Sequence, residues 1–379
     1  MPQKLNALTG LRCFAAALIV ASHSQPFKIP LPNYAYAQGV SLFFVLSGFI
    51  LAFVYPRLDS FGEITAFYAT RIARIWPAHV VALLLTAALL TGVTFNSILL
   101  ANLFMVHAFV PLLPYYFSYS APSWSISVEI GFYLVFPFLI YRWYATWWWK
   151  IPLAGCLVIG LMAFGQWLAL PSLPNNNSLS LQGLLAINPL ARLFEFVVGI
   201  GACSVFLWLR PRIPKLHTAV FTIVEGLVLL VVAYFIMGNP TYMFVWNVLG
   251  PGVWFDWLNH TGTFWVFAAL IIVLAIGRGL ISKLLSTRLL LALGEMSFSV
   301  YLIHLTIFAA YNYRGETPDY LGLSICLAIT LTLAYVIWRF VEAPVRKAVK
   351  ARIKAGLELT SRHEVDLVLQ NGTLAMQTR

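Results

Sequence analysis

The sequence predicts an all-α polytopic membrane protein: about ten transmembrane helices in one bundle, with a re-entrant or interfacial helix among them. Three observations carry this reading. The 379 residues are 61% hydrophobic and 10% charged, with a mean hydropathy of +0.84, whereas soluble domains are about half apolar and a quarter charged. The apolar residues gather into stretches of about 20, the length a helix needs to cross ~30 Å of hydrocarbon. The basic residues fall between those stretches and favour alternate loops.

The ten stretches run near 7–24, 38–55, 75–93, 122–141, 151–170, 189–209, 217–237, 262–278, 289–310 and 319–340. A shorter apolar piece, 97–110, ends at Pro111 and Pro114, and we read it as the re-entrant or interfacial helix. One set of loops holds Lys4; Arg57, Arg71 and Arg74; Arg142 and Lys150; Arg210, Arg212 and Lys215; and Arg278, Lys283 and Arg288. The basic run from Arg346 to Lys354 joins that set, and the opposite loops hold little beyond Lys28 and Arg314. The expected location is a plasma (inner) membrane, and by the positive-inside rule both termini are cytoplasmic and the number of spans is even. The run YRWYATWWWK (141–150) reads as an interfacial aromatic belt. Residues 1–350 are expected to form the membrane-embedded domain and 351–379 a polar cytoplasmic tail. No internal repeat emerges, which disfavours repeat-built transporters.

The net charge of +11 does not indicate nucleic-acid binding, because the basic residues do not form one patch. Cys13, Cys156, Cys203 and Cys326 all lie in apolar stretches without metal-binding spacing, so neither a disulfide framework nor a metal is expected. The opening segment LRCFAAALIVASHS is not read as a cleaved signal peptide, since Arg12 interrupts its apolar region.

Ionisable residues inside a membrane are costly and tend to face the bundle interior or a water-filled cavity. Arg12 and His23 are eleven residues apart, which returns them to nearly the same helix face, ~16 Å apart along the axis. One stripe of the first helix then carries an arginine near the cytoplasmic side and a histidine near the outer side; snorkelling of both ends to opposite interfaces is the alternative. Arg71 and Arg74 form an i,i+3 pair suited to a phosphate-rich ligand through the planar guanidinium fork; lipid headgroups or topology alone would also account for them. Glu129 in PSWSISVEIGFY (122–133) sits on one face with Ser125 and Tyr133. As a buried carboxylate it needs a partner, and both His23 and Arg12 qualify. In GEMSFSVYLIH (294–304), Ser299, Tyr301 and His304 enter the ninth span, with His304 either functional or merely packed. Arg192 and Glu195 most simply satisfy each other.

Taken in order, these segments resemble the acyltransferase 3 family of bacterial integral membrane acyltransferases, over roughly residues 5–350. LTGLRCFAAALIVASHS is similar to its opening Arg-x10-His signature, at Arg12 and His23. GVSLFFVLSGFIL resembles its FFxLSGF segment, and RIARIWP its Arg-x-x-Arg motif at Arg71 and Arg74. SWSISVEIGFYLVFP resembles its WSLSVE stretch, and LGEMSFSVYLIH its late Ser-Tyr…His element. Cys13 and Gly131 depart from residues common in the family, and the SGNH-type hydrolase domain that some relatives carry is not expected here.

The resemblance implies transfer of an acyl group, often acetyl, from cytoplasmic acyl-CoA to a hydroxyl of a sugar or polysaccharide, commonly at the outer face. It implies that Arg12, Arg71 and Arg74 hold the donor and that His23 is catalytic. With it, Glu129 becomes the candidate to orient His23, and Ser125, Ser127, Tyr133, Tyr301 and His304 the candidate substrate-binding residues. The expected co-substrate is acyl-CoA, acetyl-CoA first, with no metal. The expected partners are a glycan acceptor that can be lipid-linked and the membrane lipids. The competing readings are a lipid or glycan exporter using the same intramembrane charges, and an acyltransferase for a lipid or small secondary metabolite.

Overall fold

The computed structural model describes residues 5–27, 36–175, 178–214, 216–238, 240–313 and 319–355. Lys4, Lys28, Lys215 and Arg314 of the loop-charge pattern, and residues 356–379 of the expected tail, lie outside the described residues. The chain forms α1 (Asn6–Ser22), α2 (Gly39–Val54), α3 (Phe61–Thr86), α4 (Ser97–Leu103), α5 (Leu113–Tyr116), α6 (Trp124–Ile140), α7 (Trp143–Trp167) and α8 (Pro189–Leu209). It continues through α9 (Thr218–Gly238), α10 (Pro240–Leu249), α11 (Val253–Thr261), α12 (Phe264–Ile276), α13 (Leu280–Leu285), α14 (Arg288–Tyr313) and α15 (Tyr320–Ile337). Among the described residues, 9 helical runs are long and apolar enough to cross a membrane. The 17-residue α1 is the shorter tenth.

Three boundaries differ from the sequence reading. The third span was expected to begin near 75, but α3 starts at Phe61 because Ser60 and Glu63 form a capping box. Ser60 Oγ accepts from the Glu63 N–H at 3.1 Å, and Glu63 Oε2 accepts from the Ser60 N–H at 3.1 Å. Arg71 and Arg74 therefore sit within a continuous helix. The apolar piece 97–110 is not one helix, because the backbone turns left-handed at Met105 (φ 55°) between α4 and a 3-10 turn at His107–Phe109. Its freed backbone is satisfied by protein, as non-helical chain at membrane depth must be: His79 Nε2 meets Asn102 O at 2.8 Å and Ala108 N–H donates to Ser127 Oγ at 2.9 Å. After α15 a π-helical turn, Trp338–Glu342, leads into helix that continues to Ala355, five residues into the expected tail.

Helix directions fit the predicted even number of spans. In α1 and α14, Thr9 packs on Gly294 and His23 on His304, so the two run parallel. In α2 and α8, Ser41 meets Arg192 and Phe53 meets Phe206, so these run parallel as well. Counting α1 as the first crossing makes α14 the ninth, and α2 and α8 the second and sixth. Parallel pairs must share the same parity, and both do.

Both pairs approach through glycine, because side chains gain nothing from hydrophobic burial within lipid and close backbone packing must supply the attraction. A Cβ at Gly294 would overlap the Thr9 carbonyl oxygen, and one at Gly10 the Leu285 carbonyl. The Gly48 and Gly199 positions interlock in the same way against the Phe196 and Val45 carbonyls.

Lys150, counted from sequence as a loop charge, is instead buried. Its ammonium donates to the carbonyls of Phe138, Leu139 and Tyr141 at 3.0, 3.0 and 2.7 Å, capping the C-terminal end of α6. Exposed Tyr141, Tyr144, Trp147 and Trp148 surround it, consistent with an interfacial belt.

Candidate active site

A cavity, partly open to solvent, runs between α1, α2, α3, α6 and α14. Arg12 on α1 and Arg71 and Arg74 on α3 contribute three guanidiniums to its wall. Thr9, Ser47, Ser125, Glu129, Tyr133 and Tyr301 supply the other polar side chains, and aliphatic and Phe residues the rest. Arg12 is brought there by the α1–α14 glycine contact, and the arginine pair by the long α3 that the capping box starts.

These charges are weakly compensated. The Arg192–Glu195 pair, at 2.7 Å, is the one ion pair among the described residues, and it lies outside the cavity wall. Arg12 and Arg74 donate no hydrogen bond to a described residue. Arg71 donates to Tyr55 Oη at 3.3 Å and stacks 5.3 Å over that ring, while its Nε is buried without an acceptor. Two carboxylates stand nearby. Glu129 Oε1 accepts from Tyr133 Oη at 2.6 Å and from Ser47 Oγ at 3.1 Å. Glu342, turned inward by the π-helical segment, accepts from Ser299 Oγ. Arg12 feels both carboxylates as opposite charges and Arg74 as a like one. The cavity is thus a cationic chamber with guanidinium donors free for an anionic guest.

Next to the cavity, across Tyr301, lies a histidine pair. His23 caps the C-terminus of α1, and its Nδ1 lies 2.8 Å from Nε2 of His304, with the rings stacked 5.1 Å apart. His304 Nδ1 faces two carbonyls, Tyr301 O at 2.6 Å and Val300 O at 3.2 Å. A carbonyl can only accept, so Nδ1 of His304 carries a proton, and in the neutral ring its Nε2 is the acceptor. His23 Nδ1 must then donate, which leaves the lone pair on His23 Nε2, free of any hydrogen bond to the described residues. A backbone carbonyl, through His304, fixes the tautomer of His23 as an acidic side chain does in a catalytic triad. His304 is fully buried and His23 is not.

The structure gathers Arg12, Arg71, Arg74, Ser125, Glu129, Tyr133 and Tyr301 around one cavity, and His23 with His304 next to it. It does not pair Glu129 with His23, nor Glu129 with Arg12 in a salt bridge. Tyr133 and Ser47 meet the carboxylate's need for donors, and His304 occupies the place expected for it. Ser127 faces away from the cavity and holds the Ala108 N–H. Arg192 and Glu195 satisfy each other as expected. Glu342 stands out in sequence at the end of the tenth span, but its bond to Ser299, the place of Ser47 and His304's role as partner of His23 escaped the sequence reading. Ser47 lies in the quoted FFVLSGF run, but nothing in its spacing marks it as a carboxylate ligand.

Tyr301 separates the two halves: its ring lies 6.1 Å from that of His304, and its hydroxyl donates to Pro122 O at 2.8 Å. A cationic chamber beside a histidine with one bare nitrogen, inside a multi-pass bundle, fits a membrane enzyme of group transfer. The profile of the acyltransferase 3 family, described as an acyltransferase domain, matches residues 5–339. The chain belongs to this family and is a membrane acyltransferase.

Named relatives agree. Acyltransferase MdmB of Streptomyces mycarofaciens is 26% identical over 344 residues, covering 82% of this chain and 80% of the relative. O-acetyltransferase OatA of Staphylococcus aureus is 25% identical across 91% of this chain. Peptidoglycan O-acetyltransferase OatA of Listeria monocytogenes is 24% identical across 90% of it. The chain spans 58% and 56% of those two OatA proteins. No solved structure matches the chain.

Proposed function

We propose that the protein moves an acyl group, acetyl in the first instance, from cytoplasmic acyl-CoA to a hydroxyl of a cell-surface glycan. The observation that carries this reading is the placement of three guanidiniums in one chamber, next to a histidine whose Nε2 is bare. The O-acetyltransferase names of two relatives support acetyl and a glycan. The loop charges support a cytoplasmic mouth at Arg71 and Arg74.

In this reading Arg71, Arg74 and Arg12 hold the phosphates and lead the thioester arm inward. The ~16 Å that helix geometry puts between Arg12 and His23 is comparable to an extended pantetheine arm. Tyr301 rotates aside to admit the thioester to the histidine pair. His23 Nε2 takes the proton of the acceptor hydroxyl as its oxygen bonds the acyl carbon. The C–S bond then breaks, and the thiolate recovers the proton from His23. His304 is a positioning residue, receiving the Nδ1–H of His23 throughout. Glu129 stabilises the arginine cluster. Residues 1–350 make up the catalytic unit, and both termini face the cytoplasm.

The test is transfer of radiolabelled acetyl from acetyl-CoA to membrane glycans by the purified protein. Label that appears in glycan and is lost in a folded His23→Ala variant supports the reading. Absence of labelled glycan with any acyl-CoA supports the exporter, and label in lipid or a small molecule moves the acceptor.

A further inference from the structure

Outside the chamber, Arg71 and Arg74 line a second, smaller cavity together with Thr70, Arg346 and Lys350. Arg346 and Lys350 are an i,i+4 pair on the helix that follows the π-turn, and they face the i,i+3 pair of α3. Four cations from two helices therefore converge on one small space. Arg346 feels Arg74 and Arg71 as like charges, and Glu342 and Glu295 as opposite ones. Neither Arg346 nor Lys350 forms an ion pair among the described residues. Glu342 is already bonded by Ser299. Such an arrangement repels itself unless an anion with several oxygens completes it, and the buried, acceptorless Nε of Arg71 points to the same absence.

Arg71 and Arg74 line both cavities, so they stand at the junction between them. We infer that the smaller cavity is a second phosphate subsite, in which Arg346 and Lys350 bind the 3′-phosphomonoester of the CoA donor. The diphosphate lies at the junction and the pantetheine arm enters the chamber. This assignment rests on the acyl-CoA reading above. It gives the last helix a role in selecting a phosphorylated nucleotide carrier over a bare thioester. An anionic lipid headgroup offers the same phosphate chemistry to a cluster near the membrane surface, so the test must separate the two.

The full chain in nanodiscs of phosphatidylcholine alone is titrated with CoA and with dephospho-CoA, which lacks only the 3′-phosphate. The native protein binds CoA roughly tenfold or more tightly than dephospho-CoA, as one lost charge-assisted contact dictates. Arg346→Gln and Lys350→Gln each shrink this ratio, and the double variant abolishes it. Affinity for dephospho-CoA stays unchanged, which also verifies folding. A native ratio near one, or a ratio that survives in the double variant, overturns the subsite while leaving the donor reading intact. Failure of the native protein to bind either compound removes both. Loss of the ratio on adding phosphatidylglycerol assigns the cluster to lipid headgroups and overturns the proposal as well.

Discussion

Replacing His304 separates a positioning role from simple packing. In His304→Ala the Nδ1–H of His23 loses its acceptor, so nothing holds the ring in the tautomer with a bare Nε2. A neutral hydrogen bond contributes about 0.5–1.5 kcal/mol net, or roughly 2- to 13-fold in rate. Lost orientation of the ring extends the expected drop in kcat to about 10- to 100-fold, below the 10²–10⁴ expected for removing the base itself. The assay is acyl transfer by purified protein in nanodiscs with a glycan-containing membrane fraction, normalised to folded protein by its thermal transition. The KM for acyl-CoA stays unchanged, because Arg12, Arg71 and Arg74 are untouched. His304→Gln restores an acceptor and recovers part of the rate. The decisive comparison is the double variant, His23→Ala with His304→Ala, which should be no slower than His23→Ala alone. An additive loss, or an effect confined to KM, refutes the reasoning.

Other consequences are simpler. Arg71→Lys and Arg74→Lys keep the charge but lose the planar fork, so each raises the KM for acyl-CoA about tenfold with little change in kcat. Gly294→Ala forces a Cβ into the Thr9 carbonyl and separates α1 from α14; it destabilises by about 1–3 kcal/mol, read from thermal unfolding in detergent. Lys150→Met strips three donors from the end of α6 and lowers stability by about 1–3 kcal/mol, with turnover per folded molecule unchanged.

What the sequence could reveal depended on the range of each signal. Hydrophobic length placed nearly every crossing, because the bilayer imposes a minimum stretch on each helix irrespective of its neighbours. Charge rarity picked out Arg12, Arg71, Arg74 and Glu129, since an ionisable group at membrane depth needs a reason to be there. The extended start of α3 was written locally in Ser60 and Glu63, yet the polar first turns concealed it from a search for apolar length. The break at Met105 left no trace in residue type, and a π-turn that aims Glu342 inward has no sequence period of its own. Partner choice was the least legible. His23 and His304 are separated by 281 positions, and only the packing of α1 on α14 decides that His304, rather than Glu129, receives the Nδ1–H. Glu129 was rightly singled out as needing partners, but Tyr133 one turn away and Ser47 on α2 supply them.

The central claim is that donor and acceptor meet at His23 from opposite sides of the membrane. Sealed proteoliposomes containing uniformly oriented protein test it most directly, with labelled acetyl-CoA confined to the cytoplasmic side and a glycan acceptor only on the other. The account predicts labelled glycan in the acceptor compartment, at a rate that His23→Ala abolishes while donor binding persists. Label that appears only when acceptor and donor share the cytoplasmic side, or that survives His23→Ala, contradicts it.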